Sequence, residues 1–251
     1  MDSKPELKRR TDFIKPGGDG SVINGGTRDF SKMTLPEATE ELQRAANDSR
    51  QAFTEALREL AGASESKSLY TRGHSERVTR FSVEMAKIMG LPEDEIERIR
   101  IAALIHDIGK ITIGEEILNK PAVLTENEYA VIKTHPNQGY ELLKNIPQLK
   151  DIIPGMQLHH EQLDGTGYPY GLKGDEIPMM ARIITVADCF DAMITMRPYQ
   201  GPAPIEDGLE MIRSAAGVKY DAQVVDALTQ GVRAGRMKTR REDRAQAKLE
   251  N

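Results

Sequence analysis

The sequence predicts an all-α fold, and three observations support this prediction. Apolar residues recur with the spacing of a helix face, as at Val78, Phe81 and Met85, which share one face with His74. Residues 125–128 read Thr-Glu-Asn-Glu, the pattern of a capping box that marks the start of a helix. No segment shows the apolar–polar alternation of a half-buried strand. We therefore predict a bundle of helices.

The predicted helices follow one another along most of the chain. Residues 36–62 are rich in Ala, Glu, Leu and Arg, which favour helix formation. Pro92 opens another helix near its first turn, and its apolar face leads to His106. Residues 161–178 are rich in Gly and Pro and are expected to form an irregular loop. The remaining helices are predicted from about residue 70, from Thr125 through His135, and over 148–160, 179–195, 204–216 and 221–233.

Composition divides the 251 residues into four segments. Residues 1–35 are polar and Gly-rich and are expected to be disordered. Residues 36–66 form a helical extension or linker, and 67–234 form the domain that carries the candidate site. Residues 235–251 form a basic tail, which is expected to be disordered and solvated. The helix at 36–62 packs on its own domain or forms a coiled-coil-like contact with a second copy.

Charge and hydropathy exclude several classes of protein. The net charge is −5, which gives no support to binding of a nucleic acid polymer. No apolar run approaches the roughly 20 residues that span a bilayer, so no membrane insertion is expected. The N-terminus lacks the apolar core of a secretory signal, and one cysteine, Cys189, suits a reducing compartment. We therefore expect a cytoplasmic protein.

Five histidines and two aspartates end or lie on the predicted apolar helix faces. Burying so many titratable groups in one core is unfavourable unless a cation compensates them, and helix bundles build such sites from facing helices. Seven ligands exceed one ordinary site and predict two divalent metals about 3.5–4 Å apart. Asp107 is the expected bridge, beside His106. Imidazole and carboxylate ligands favour iron or manganese over a structural zinc.

A site of this kind suits hydrolysis of a phosphoester by a hydroxide that bridges the two metals. Lys110 follows Asp107 by three residues and is the candidate that stabilises charge on the phosphate. The alternative for Lys110 is a surface lysine on a turn.

An ordered set of motifs lies between Thr71 and Val225. These motifs are His74-Ser-Glu-Arg-Val78, His106-Asp-Ile-Gly-Lys110, Leu118-Asn-Lys-Pro121, Lys133-Thr-His-Pro136, His159-His-Glu161, Asp164-Gly-Thr-Gly-Tyr-Pro169, Ala187-Asp188, Phe190-Asp-Ala192 and Arg197-Pro-Tyr199. In this order they resemble the HD-GYP family of the HD phosphohydrolase superfamily. The resemblance implies an HD-domain-like helical bundle and assigns 67–234 as its catalytic domain.

The resemblance implies a metal-dependent phosphodiesterase that hydrolyses cyclic di-GMP to linear pGpG, and often on to GMP. The implied metal ligands are His74, His106, Asp107, His135, His159, His160 and Asp188. Lys110 is implied at the scissile phosphate, and Asp107 takes part in catalysis as the bridge.

The resemblance also implies residues that bind substrate or partner proteins. The loop that borders the cleft contributes Asp164, Gly165, Gly167, Tyr168 and Pro169. Asp191 either supports a ligand or binds substrate, and Arg197 binds a non-scissile phosphate or stacks on guanine.

Some positions depart from the family pattern. Tyr70 stands where some members have a glutamate that helps to hold a third metal, so we expect two metals. Gln162 and Gln200 replace basic residues of many members. These changes leave open a sensor or scaffold with little turnover, another cyclic dinucleotide as substrate, or a phosphohydrolase of mononucleotides. A homodimer through the N-terminal helix and a signalling protein partner are also expected.

Overall fold

The computed structural model describes residues 35–68, 71, 73–195, 201 and 203–237, with the backbone alone over 35–48. These residues form α-helices that alternate with short turns. In chain order the helices are α1 (Leu35–Ser66), α2 (His74–Ile88), α3 (Glu93–Ile105), α4 (Glu115–Leu118), α5 (Glu126–Ile132), α6 (His135–Leu143), α7 (Ile153–Gln157), α8 (Met179–Ile194), α9 (Ile205–Ser214) and α10 (Ala222–Arg233).

The all-α prediction is confirmed, since no β-strand occurs among the described residues and β-contacts are limited to isolated bridges such as Asp164–Lys173. The chain divides into two compact units, Met1–Asp48 and Ser49–Asn251. Within the described part, none of the helices is long and apolar enough to cross a membrane. The segments predicted to be disordered, 1–35 and 235–251, lie outside the described residues except for Leu35, which begins α1, and 235–237, where Met237 is buried. The four-segment division stays a prediction.

The core of the larger unit forms around α2 and α8. Helix α2 packs against α3, α8 and α10, and α8 also contacts α7 and α9. Phe81 of α2 and Phe190 of α8 are fully buried, with their ring centroids 5.6 Å apart in an edge-on arrangement. Full burial of such side chains contributes about 1.5–3 kcal/mol each. The apolar faces of α2 and α8 therefore pack against each other.

The predicted helix from Thr125 through His135 is wrong in its C-terminal part. The capping box at Thr125 is present, but α5 ends at Ile132 and His135 begins a separate helix, α6. Pro136 lacks the N–H that would continue the first helix. The Ile132 carbonyl accepts instead from Nδ1 of His135, at 2.8 Å. Val131, four residues before His135, is 41% exposed, so it does not extend an apolar face to His135.

The prediction for 148–160 is wrong in a similar way. Helix α7 covers Ile153–Gln157, and His159 and His160 lie in the turn that follows it. Nδ1 of His159 donates to the Met156 carbonyl at 2.6 Å, in place of a backbone donor of a further helical turn. The helix predicted over 148–160 therefore ends before the two histidines.

Candidate metal centre

The five histidines and two aspartates come together where several helices end. They form two groups of candidate ligands, and within each group the ligand atoms lie within 4.8 Å of one another. The first group contains His74, His106 and Asp188. The second group contains Asp107, His135, His159 and His160. We call these the first and the second ligand group.

The first ligand group joins the start of one helix, the end of a second and the middle of a third. His74 is the first residue of α2, His106 directly follows α3, and Asp188 lies in the middle of α8. Nε2 of His74 lies 3.3 Å from Nε2 of His106 and 3.2 Å from Oδ1 of Asp188. All three side chains are at most 13% exposed, and ring nitrogens and a carboxylate oxygen converge on one point.

The second ligand group is built around the turn that carries the His-Asp pair. Gly109 in this turn allows it to pack against the start of α6, since a Cβ there would lie 1.9 Å from the His135 carbonyl oxygen. This approach brings Oδ1 of Asp107 to 3.2 Å from Nε2 of His135. Nε2 of His135 in turn lies 3.4 Å from Nε2 of His159.

Asp107 lies between the two ligand groups. Its Oδ2 is 3.6 Å from Nε2 of His74 and 3.5 Å from Nε2 of His106, while its Oδ1 faces His135. Oδ1 is buried and accepts no hydrogen bond from the residues that the structure describes. A buried carboxylate oxygen without a donor is unfavourable unless a cation fills that place. The residues therefore fit a metal, and Asp107 faces both ligand groups.

In three of the buried histidines a hydrogen bond holds Nδ1, the ring nitrogen that faces away from the centre. Nδ1 donates to a backbone carbonyl in His106 (to Ala103, 2.7 Å), in His135 (to Ile132) and in His159 (to Met156). Such bonds fix the ring and leave Nε2 free to bind a metal. In all three the acceptor is three residues earlier, at the end of a helix.

Burial keeps most of these rings neutral. It lowers the pKa of His106, His159 and His160. For His160 the pKa falls to about 3. Burial acts in the same direction on His74, but hydrogen bonds to Asp188 and Asp191 outweigh it and raise the pKa of His74 to about 9. Neutral imidazole is the form that binds a metal.

The carboxylates stay ionised although they are buried. Burial opposes their ionisation, yet the pKa of Asp107 and that of Asp188 lie well below the ordinary value. Lys110 and His106 outweigh burial at Asp107, and His74 does so at Asp188. Two carboxylates among mostly neutral rings give the cluster a negative charge that suits a cation.

Lys110 lies at the edge of this cluster. Its Nζ donates to Oδ2 of Asp107 at 2.7 Å, and its side chain is 21% exposed. Lys110 belongs to the 3₁₀ turn Ile108–Thr112 that directly follows Asp107. The ammonium therefore reaches the same oxygen that faces the first ligand group, from the side nearer to solvent.

Asp191 lies behind His74 and is fully buried. Its Oδ2 accepts from Nδ1 of His74 at 2.7 Å, and its Oδ1 accepts from Nε of Arg77 at 2.6 Å. Of the two roles that the sequence left open, this position favours support of a ligand over contact with substrate. Arg77 was missed in the sequence, although it lies one helical turn after His74 on the same face.

The loop after the paired histidines packs directly on the centre. The ring of Tyr168 stacks on His160, with centroids 4.6 Å apart and planes 24° apart. Gly167 allows this, because a Cβ there would lie 2.4–2.5 Å from backbone atoms of His160, Glu161 and Gln162. Burial raises the pKa of the Tyr168 phenol, so it stays protonated.

Glu161 holds the loop from inside and was not singled out in the sequence as functional. Its side chain is 1% exposed and accepts from the backbone N–H groups of Tyr170 and Leu172, at 2.7 and 3.0 Å. Thr185 of α8 holds the start of the same segment, since its hydroxyl donates to the His159 carbonyl at 2.7 Å.

The other predicted loop residues shape the turn. Oδ1 of Asp164 accepts from the backbone N–H and the hydroxyl of Thr166, at 2.9 and 2.7 Å. Gly165 has a φ of 80°, in the left-handed region, and Pro169 follows Tyr168 through a cis peptide bond. Arg197, Tyr70 and Gln200 lie outside the described residues, so their predicted roles stay predictions.

Comparison with known proteins gives this arrangement a context. Residues 42–224 match the HD domain family. A cyclic di-GMP phosphodiesterase of Thermotoga maritima is 42% identical over 175 residues, which cover 69% of this chain and 48% of that relative. A 3′3′-cGAMP-specific phosphodiesterase of Vibrio cholerae is 39% identical over 164 residues, covering 65% of this chain and 36% of the relative.

A solved structure supports the same fold. The structure of a cyclic GMP-AMP-specific phosphodiesterase of V. cholerae superposes with a TM-score of 0.56 at 21% identity, over 73% of this chain and 49% of that chain. The chain thus spans about half or less of the length of the relatives it matches. The family match covers more than half of the chain and includes all seven candidate ligands, so the chain belongs to the HD domain family.

Proposed function

We propose that this chain is a metal-dependent phosphodiesterase that hydrolyses cyclic di-GMP to linear pGpG, with GMP as a further product. One observation carries the proposal: Asp107 lies between two groups of candidate ligands, with one oxygen towards each. A carboxylate that joins two metal positions is typical of two-metal hydrolysis of phosphoesters. Relatives at 42% and 39% identity are named as phosphodiesterases of cyclic dinucleotides, which supports this reaction.

The proposed cofactors are two divalent cations, iron or manganese. His74, His106 and Asp188 would hold one cation, and His135, His159 and His160 the other, with Asp107 shared. When bound, the two cations supply an activated water and neutralise charge on the phosphate. Nitrogen and oxygen ligands without a thiolate agree with iron or manganese.

The proposed roles of the remaining residues follow from their positions. Lys110 is partly exposed beside Asp107, so its ammonium can reach a phosphate oxygen that approaches from solvent. A fixed cation at developing charge stabilises a transition state. Tyr168 covers His160 and offers an aromatic face at the edge of the centre, on which a base can stack. Asp164 and Gly165 shape the turn that presents Tyr168.

The substrate class is proposed as a cyclic dinucleotide with two guanines. The relatives carry names for two substrates, cyclic di-GMP and 3′3′-cGAMP, so both are tested as substrates. Arg197 is proposed at a second phosphate or at a guanine. A homodimer through α1, a signalling protein partner and a cytoplasmic location belong to the same proposal; size-exclusion chromatography with light scattering tests the dimer.

The test is turnover and metal content measured on one anaerobically purified sample. We expect about two iron or manganese ions per chain and sustained release of pGpG from cyclic di-GMP. Faster cleavage of 3′3′-cGAMP would reassign the substrate within the same reaction. Two bound metals without turnover of either dinucleotide would refute the enzyme and favour a sensor. A careful preparation that binds no metal would refute the proposed centre itself.

A further inference from the structure

The C-terminal end of α1 contacts two segments that carry candidate ligands. One is the start of α2, with His74, and the other is the turn that begins at Asp107. Glu65 reaches the start of α2, where its two carboxylate oxygens accept from the backbone N–H of Gly73 at 2.8 Å and of Ser75 at 2.5 Å. His74 lies between these two residues and is the first residue of α2. The position of His74 is therefore tied to a side chain of another helix.

Helix α2 needs this external carboxylate because it has no cap of its own. Its N-cap residue is Gly73, with a φ of 72° and no side chain to accept hydrogen bonds. The first N–H groups of a helix have no partner within the helix, and a negative charge near them is stabilising. Glu65 supplies both the acceptors and the charge, from eight residues earlier in the chain.

Two neighbours of Glu65 hold the turn that carries Asp107 and Lys110. The hydroxyl of Ser64 is buried and donates to the Asp107 carbonyl at 3.2 Å. Nζ of Lys67 donates to the carbonyls of Ile111 and Ile113, at 2.7 and 3.0 Å. The turn Ile108–Thr112 is therefore bonded at its start and at its end to the same few residues of α1.

The end of α1 is itself anchored in the core. Leu57 and Ala61 are each 4% exposed and belong to the main apolar cluster. Beside this anchor lies an open groove of about 270 Å³ between α1 and the start of α2, lined by Arg58, Gly62 and Ser75 among others. On this side Glu65 makes its two hydrogen bonds across the groove, to the start of α2.

We infer that Glu65 is a positioning residue for His74, and that Ser64 and Lys67 position the Asp107–Lys110 turn. The end of α1 then positions His74 of the first ligand group and the turn that carries Asp107, whereas His135, His159 and His160 are positioned by other helices. The inference rests on the proposed function only in taking these side chains as metal ligands. A shift of α1 is expected to change binding of one cation more than binding of the other.

The experiment compares Glu65→Ala with Glu59→Ala, a matched control in which an exposed glutamate of the same helix is removed. Binding of Mn²⁺ to the metal-free chain is measured by calorimetry, and stability by urea unfolding. We expect Glu65→Ala to weaken one Mn²⁺ binding step about 10-fold and to leave the other step unchanged. A loss of this size is typical when a residue that orients a metal ligand is removed. Glu65→Gln keeps one acceptor oxygen and is expected to recover part of the lost affinity.

The inference is overturned if both Mn²⁺ steps in Glu65→Ala match those in Glu59→Ala, even when the free energy of unfolding falls. That result would reduce Glu65 to a stabilising cap. If Glu65→Ala does not fold, the same comparison with Glu65→Gln decides. Failure of the proposed enzyme is a separate result, because a wild-type chain that binds two Mn²⁺ without turnover still allows the affinity comparison.

Discussion

Replacing Asp191 by asparagine removes one acceptor from a buried network without changing its size. The carboxylate accepts from Nδ1 of His74 at 2.7 Å and from Arg77 at 2.6 and 3.0 Å, and it is fully buried. All of these partners are donors. An asparagine offers one oxygen and one NH₂ group, so at least one donor would face another donor.

The expected magnitude follows from this lost acceptor. A hydrogen bond to a charged group contributes about 1.5–3 kcal/mol, so we expect the free energy of unfolding of the metal-free chain to fall by about that amount. For a chain of this size about 2 kcal/mol corresponds to a decrease in Tm of about 4–8 °C. His74 loses its fixed orientation, so Mn²⁺ affinity is expected to fall about 10–100-fold.

The assay pairs urea unfolding of the metal-free protein with calorimetric titration of Mn²⁺. Asp226→Asn is the matched control, because Asp226 is an exposed aspartate on α10. Wild-type Mn²⁺ affinity in Asp191→Asn would refute the claim that Asp191 orients His74. Unchanged stability would refute the claim that His74 and Arg77 share its carboxylate.

Four further outcomes are expected. Asp107→Ala loses metal and turnover together, because Asp107 serves both ligand groups; metal analysis of the purified variant checks this. Lys110→Ala keeps both metals, but its turnover falls about 100–1,000-fold, the loss typical when one fixed donor to the transition state is removed. Wild-type turnover in this variant would contradict the role of Lys110. Gly167→Ala lowers the free energy of unfolding by about 1–3 kcal/mol, since the new Cβ would lie 2.4–2.5 Å from backbone atoms. Gly62→Ala is the control: its Cβ would meet open space, and the change stabilises α1 by about 0.5–1 kcal/mol. Thermal unfolding compares the two variants. A chelator removes metal while far-ultraviolet circular dichroism stays unchanged, because hydrogen bonds of the protein already hold the rings.

The apolar periodicity and the residue types were sufficient to predict the all-α fold and the residues that meet at the candidate metal centre. The apolar faces of α2 and α8 predict which sides pack together, and the polar residues on those faces, such as His74 and Asp188, must then lie in the core. Burial of several such groups together has few stable solutions, so the meeting of all five histidines could be predicted. Their roles as ligands stay a prediction that metal analysis decides.

The sequence could not show where helices end. At His159 a ring nitrogen takes the carbonyl that a further backbone N–H would otherwise bond, and at His135 a ring nitrogen bonds the Ile132 carbonyl, to which Pro136 cannot donate. Apolar periodicity carries no information on this competition. The same holds for Glu65, whose partners lie across a turn and depend on α2 having glycine as its N-cap.

His106, His135 and His159 each donate a hydrogen bond to a carbonyl three residues earlier. The orientation of these three rings is therefore set by the helices themselves. Each ring is oriented by the same bond that satisfies an orphan carbonyl at a helix end, so the entropy of ordering the rings is lost when the helices form. A cation then meets rings that are already ordered. If the chain binds metal as proposed, loss of one metal would leave the rings ordered, and another metal could take its place while the helices stay intact.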